Sequence, residues 1–161
     1  MSSVCYKTVY LSLGSNLGDK QANIKKALAL ISERVGEVLA LSGINETSPW
    51  GYESQETYLN VVIKVETGLT PEALLEATKD IERLIGRGDK TMNGQYSDRV
   101  IDIDILLYDD LILDRPNLTI PHPLMHLRAF VLQPLNEIAP EVVHPLFKKT
   151  IANIIQNKIV S

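Results

Sequence analysis

Apolar and polar residues alternate over 6–13, 38–44, 58–65 and 100–108, in runs rich in β-branched and aromatic side chains, and each run predicts a strand. Between the first two, Ile24, Ala27, Leu28 and Ile31 recur at helical spacing behind the turn-rich segment Gly14-Ser15-Asn16-Leu17-Gly18 and a capping Asp19. Between the last two, Leu74, Ala77, Ile81 and Leu84 form a second helical stripe, opened by Thr70 and a proline in the first turn. Gly36 and Gly86 are placed to end the two helices. Past the fourth strand the pattern predicts a short strand over 111–113 beside it. It also predicts a partly helical stretch over 128–138 that Pro134 should kink or end, and a helix over 151–159. Residues 47–57 read as a loop. Residues 86–98 are polar and contain three glycines, Gly86, Gly88 and Gly94, so a mobile loop is expected there.

The order β-α-β-β-α-β is that of the ferredoxin-like split motif, an α+β fold with an antiparallel sheet and helices packed on one face. The second face is then open to carry a site, and the residues after the fourth strand form a C-terminal extension. A chain of 161 residues that is 45% hydrophobic and 22% charged suits one domain with a real core, so residues 1–161 are read as a single domain. A net charge of −4 argues against general nucleic-acid binding and leaves room for a local cationic cluster facing an anionic ligand. Cys5 is the only cysteine, so an internal disulfide is excluded and a reducing cytoplasm is expected. No signal-peptide pattern and no membrane-length apolar run is present.

Chemistry concentrates first in Arg99-Val100-Ile101-Asp102-Ile103-Asp104-Ile105. Residues two apart on a strand share a face, so Asp102 and Asp104 stand together, roughly 6–7 Å apart at the base, while the isoleucines bury on the other side. Two carboxylates alone suit magnesium, which keeps waters and takes phosphate oxygens as further ligands. Such a pair also fits the solvated face of an amphipathic strand. Arg87 and Arg99 bracket the polar loop and Lys90 lies within it, a pattern compatible with a lid over a triphosphate or with ordinary surface charge. Pro121-His122-Pro123 is extended, and His122 could donate to a phosphate or alcohol oxygen or be structural. Trp50, Tyr58 and Phe130 could stack on a flat ring or belong to the core, and Asn60 follows Tyr58 on the same strand face with an amide suited to a heterocycle edge. The Walker, Rossmann, serine-elbow and protein-kinase patterns are all missing.

Taken together, the stretches YLSLGSNLGD (10–19), TSPWG (47–51), YLNVVIKVET (58–67), IERLIGR (81–87), DRVIDIDILLY (98–108), IPHPLMHLRAFVLQPL (120–135) and EIAPE (137–141) resemble the 6-hydroxymethyl-7,8-dihydropterin pyrophosphokinases over nearly the whole chain. The resemblance implies transfer of pyrophosphate from ATP to the pterin alcohol, with AMP as the other product. It implies that Asp102 and Asp104 hold two magnesium ions, that Tyr58 and Phe130 sandwich the pterin, and that Asn60 binds the ring edge. Thr47, Pro49 and Trp50 would line the same pocket. Glu82, Arg87, Lys90, Arg99, His122 and Arg128 would serve the ATP side, with Arg87 and Arg99 acting on the migrating group and Ile105 and Thr119 bordering the adenine. One segment departs from the pattern. Many members carry Trp-Gly-Pro-Arg before the aspartate strand, where this chain has Tyr96-Ser97-Asp98-Arg99, so Lys90 and Tyr96 are the candidates to replace a missing arginine and the tryptophan. The expected partners are ATP and the reduced pterin, with no nucleic acid and no membrane, acting on a cytoplasmic monomer of single activity. Two rivals remain at this level: a non-catalytic ligand-binding module, and another Asp-x-Asp nucleotidyl or glycosyl transferase.

Overall fold

A computed structural model describes residues 5–47, 58–86 and 100–160, except the side chains of Thr47 and of 158–160. The strands are β1 (Lys7–Ser15), β2 (Gly36–Leu41), β3 (Asn45–Thr47), β4 (Tyr58–Thr67) and β5 (Asp102–Tyr108), with helix α1 (Lys20–Arg34) after β1 and α2 (Pro71–Ile85) after β4. Asp19 caps α1 by accepting from the Ala22 N–H at 3.1 Å, and Thr70 caps α2 by accepting from Ala73 at 3.2 Å. The sheet runs β2-β4-β1-β5, and β3 pairs with the start of β4. Every pairing is antiparallel. The fold is thus mixed α/β on an antiparallel sheet. β2 starts directly at Gly36, where a Cβ would lie 1.9 Å from the Glu66 carbonyl oxygen, so only glycine lets the two strands meet.

Parity along the strands sorts the side chains onto two faces. Val9, Leu11 and Leu13 of β1, Val61, Ile63 and Val65 of β4, and Ile103 and Ile105 of β5 pack with Ile24, Ala27 and Ile31 of α1 and Leu74 and Ile81 of α2. Leu84, expected in the α2 stripe, is 41% exposed; the buried position is Thr78, whose hydroxyl donates to the Leu75 carbonyl at 2.8 Å. The stripe therefore rotates toward Thr78, because a hydroxyl bonded to its own helix can be buried at little cost.

The second face is only half open, and this corrects the expected one-sided packing. Tyr10, Val62, Leu106 and Leu107 form a second core with Val131, Leu132 and Leu135 of α3 (Ala129–Ile138) and Ile151 and Ile154 of α4 (Ile151–Val160). Those four sheet residues are apolar and must be covered, so the C-terminal extension folds over them. Leu106 and Leu107 both reach this face because the β1–β5 register slips between Tyr10 and Leu11, a bulge that reverses parity. Tyr108 is thereby returned to the first face, where its hydroxyl donates to the Leu69 carbonyl at 2.6 Å. Pro134 does not end helix α3, which runs on to Ile138. Leu135, fully buried beyond it, offsets the lost backbone bond with about 1.5–3 kcal/mol of apolar burial.

The strand expected at 111–113 is instead Leu113–Arg115, β6, and it forms a hairpin with β7 (Leu118–Ile120) rather than extending the sheet. An Arg115–Glu72 ion pair ties this hairpin to α2. A turn of 3-10 helix at Met125–Leu127 and a small hairpin of β8 (Val143–His144) and β9 (Lys149–Thr150) complete the chain. Among the described residues no helix is long and apolar enough to cross a membrane.

Candidate active site

The half of the second face that α3 and α4 do not cover is polar, and the strand register says how it is laid out. Asn45, Asn60, Gly14 and Asp102 stand in one row across β3, β4, β1 and β5. Val62, Ser12 and Asp104 form the next row. Adjacent strands lie about 4.8 Å apart, so Asn60 and Asp102 are separated by about 10 Å, with only Gly14 between them. A Cβ on Gly14 would meet Asn60 Oδ1 at 3.1 Å and Tyr58 Cδ1 at 3.9 Å. Glycine at this position lets the Asn60 amide and the Tyr58 ring lie over β1. Nothing in the spacing of the sequence marks Gly14 for this role; it follows from cross-strand register alone.

Asp102 and Asp104 share the open face, and Ile101, Ile103 and Ile105 are buried in the first core, as the alternation predicts. Glu82, in the last turn of α2, accepts from the Ile103 backbone N–H at 2.8 Å through Oε2. In the fold it holds the end of α2 against the outer edge of β5, between the two aspartates. A cleft of about 260 Å³ runs along that edge and is lined by Asp104, Ile105, Thr119 and His122, four of the residues singled out from the sequence, together with Leu75 and Asn117.

His122 enters the cleft on a segment fixed by its backbone N–H, which donates to the Leu106 carbonyl at 3.0 Å. Its Nδ1 accepts from the Leu124 N–H at 3.1 Å, so the neutral ring carries its proton on Nε2. Burial lowers the His122 pKa; Asp104 opposes the shift and Arg128 adds to it. The neutral ring is thus favoured, able to donate from Nε2. Arg128 also lies over the Phe130 ring, 5.7 Å from its centroid, at the junction between the cleft and the ring residues. Phe130 is half-buried at the margin of the second core. Thr47 is paired with Tyr58 on β4, so its backbone stands beside the Tyr58–Asn60 patch.

The fold therefore gathers Tyr58, Asn60 and the Thr47 backbone toward β3 and Asp102 and Asp104 toward β5 on one surface, with the cleft that Asp104, Ile105, Thr119 and His122 line along the β5 edge. Pro49, Trp50, Arg87, Lys90, Arg99, Tyr96 and the expected lid over 86–98 lie outside the described residues, apart from Gly86, which caps α2. Among the described residues no three His, Cys, Asp or Glu side chains converge to hold a metal by themselves. Two same-face carboxylates beside an open cleft still fit magnesium, which binds through one or two carboxylates and completes its shell with water and phosphate. His126 and His144, which carry no signal in the sequence, pack around Phe147: His126 edge-on at 4.8 Å between centroids and His144 stacked at 4.1 Å.

Comparison with known proteins places the chain in a family. Over 138 residues the chain is 47% identical to the 2-amino-4-hydroxy-6-hydroxymethyldihydropteridine pyrophosphokinase of Porphyromonas gingivalis, covering 85% of this chain and 93% of that protein. The enzyme of the same description from Aquifex aeolicus is 42% identical over 142 residues, covering 88% of this chain and 86% of that one. The fold matches the HPPK-DHPS protein of Plasmodium falciparum with a TM-score of 0.80 at 17% identity, covering 99% of this chain and 44% of the other, a likeness of fold alone. Residues 10–140 match the family described as 7,8-dihydro-6-hydroxymethylpterin-pyrophosphokinase (HPPK), and the chain belongs to that family.

Proposed function

We propose that this protein transfers pyrophosphate from ATP to the hydroxymethyl group of 6-hydroxymethyl-7,8-dihydropterin, releasing AMP, as a step of folate biosynthesis. The observation that carries the reading is the row Asn60–Gly14–Asp102, which sets a heterocycle-binding amide and a phosphate-side carboxylate on one face about 10 Å apart. In this reading the sheet is the ferredoxin-like split motif, supported by the order β2-β4-β1-β5.

Tyr58 and Phe130 supply the stacking faces and Asn60 the edge contact that orient the pterin with its alcohol toward β5. Ile105 and Thr119 border the base of ATP in the cleft. His122, neutral with a proton on Nε2, is suited to donate to a phosphate oxygen, and Arg128 to neutralise one. Asp102 and Asp104 would hold magnesium, which screens phosphate charge and favours ionisation of the attacking alcohol. Arg87 and Arg99 are proposed to stabilise the migrating group, with Lys90 on the same side, and Pro49 and Trp50 to complete the pterin pocket. The alcohol oxygen bonds to the β-phosphorus as the bond from that phosphorus to the α–β bridging oxygen breaks. The alcohol gives up its proton, and AMP departs. Positioning two bound substrates in line and excluding water supply most of the acceleration. The protein is proposed to act as a cytoplasmic monomer.

The test is a direct product analysis with the pterin, ATP and magnesium. Equal amounts of AMP and pterin diphosphate are expected. ADP with pterin monophosphate, or turnover of a sugar nucleotide without pterin, would overturn the assignment.

A further inference from the structure

Among the described residues five serines and threonines are buried, and four of their hydroxyls donate to backbone carbonyls. Ser15 donates to the Val100 carbonyl, Ser42 to that of Gly43, Thr67 to that of Val35 and Thr78 to that of Leu75. Ser12 is 6% exposed, and its hydroxyl has no such bond to a described residue. Its hydroxyl is therefore available to a group that enters the site beside it.

Its place on the sheet shows what lies beside it. Val9, Leu11 and Leu13 face the first core, so Ser12 faces the site, directly paired with Asp104 on β5 and with Val62 on β4. Side chains so paired have Cβ atoms about 4.5–5.5 Å apart, within reach of a serine hydroxyl and a carboxylate. Asp104 likewise has no side-chain hydrogen bond to a described residue. Val62 is apolar and offers none.

We propose that Ser12 is a positioning residue for Asp104: when a divalent cation binds, its hydroxyl donates to the outer oxygen of the Asp104 carboxylate, or to a cation-bound water beside it, and fixes the carboxylate that holds the cation. The proposal rests on the reading of Asp104 as a cation ligand. Hydrogen bonds to ligating carboxylates set ligand orientation, and their loss costs metal affinity about 10–100-fold.

The test is a Mn²⁺ titration of the whole protein with a non-hydrolysable ATP analogue, following protein-bound Mn²⁺ by electron paramagnetic resonance. Ser12→Ala should weaken Mn²⁺ binding about tenfold, with pterin binding and near-ultraviolet circular dichroism as in the parent protein. In an Asp104→Asn background the same change should add little, because the group it orients has been altered. If Asp104→Asn weakens Mn²⁺ binding and Ser12→Ala does not, or if Ser12→Ala costs the same in both backgrounds, the role of Ser12 is overturned and the cation reading stands. If Asp104→Asn itself leaves Mn²⁺ affinity unchanged, the cation reading falls and takes the proposal with it.

Discussion

The two halves of the second sheet face are built from the same strands and serve opposite ends. Toward one end Tyr10, Val62, Leu106 and Leu107 are apolar, and α3 and α4 seal them into a core. Toward the other, Ser12, Gly14, Asn60, Asp102 and Asp104 are small or polar, and α3 and α4 do not cover them. The change takes place within one row, Val62–Ser12–Asp104, where an apolar residue on β4 faces a carboxylate on β5 across a single serine. Stability and chemistry are thus divided along the strands rather than between layers. Mutations one or two rows apart should have unlike consequences.

The sharpest break of that contrast is at the aspartates. Asp102→Ala or Asp104→Ala should reduce turnover by orders of magnitude and leave the thermal midpoint nearly unchanged, because these half-exposed side chains are not part of either core. Steady-state kinetics beside a melting curve decide it, and normal turnover at ordinary magnesium would remove the cation assignment. The reverse is expected in the half sealed by α3 and α4. Leu135→Ala should cost about 2–5 kcal/mol of stability in urea unfolding while the folded fraction keeps its turnover.

Gly14→Ala brings the contrast to the boundary. The added methyl presses on Asn60 Oδ1, 3.1 Å away, and a loss of at least about fivefold in pterin affinity is expected if the amide must turn from the ring edge, since one hydrogen bond is worth about 1 kcal/mol or more. ATP binding should hardly change, which calorimetry with each ligand would show. Phe130→Ala should weaken pterin binding by about 1 kcal/mol or more and ATP binding less; equal losses would mark Phe130 as a packing residue for the second core.

The smallest effect concerns pH and lies away from the site. His144 is buried, and its Nδ1 accepts from the Leu146 and Phe147 N–H groups, each at 3.2 Å. Burial, with His126 adding to it, lowers its folded-state pKa below the ordinary 6.5. The unfolded chain then binds more protons as the medium acidifies. The contribution of His144 is fully present above about pH 6.5 and is lost as pH falls from there through the lowered folded value. Urea midpoints at pH 7.5 and 5.5 should therefore differ less in His144→Asn, which retains an acceptor that does not titrate, than in the parent protein. His122 shifts in the same direction and leaves a residual slope.

Much of this arrangement is legible in the chain itself. Alternation located the four main strands, helical spacing and caps located α1 and α2, and parity placed Asp102 opposite the buried isoleucines. These are local signals, because side-chain direction repeats every two residues in a strand and every turn in a helix. The clustering of Asp104, Ile105, Thr119 and His122 was implied by family resemblance, and the cleft brings them together. Other features depend on which strands become neighbours, and no local pattern encodes that. Gly14 lies 46 positions before Asn60 and 88 before Asp102, yet register sets it between them. Glu82 gains its backbone partner on Ile103 only when α2 is laid against the edge of β5. A bulge carries both Leu106 and Leu107 to the second face, and only the assembled sheet calls α3 and α4 over that half. The chain by itself determined the alternation and the ionisable groups it displays. The tertiary structure decided which half of the face was covered, because burial follows from the apolar area the assembled strands present together.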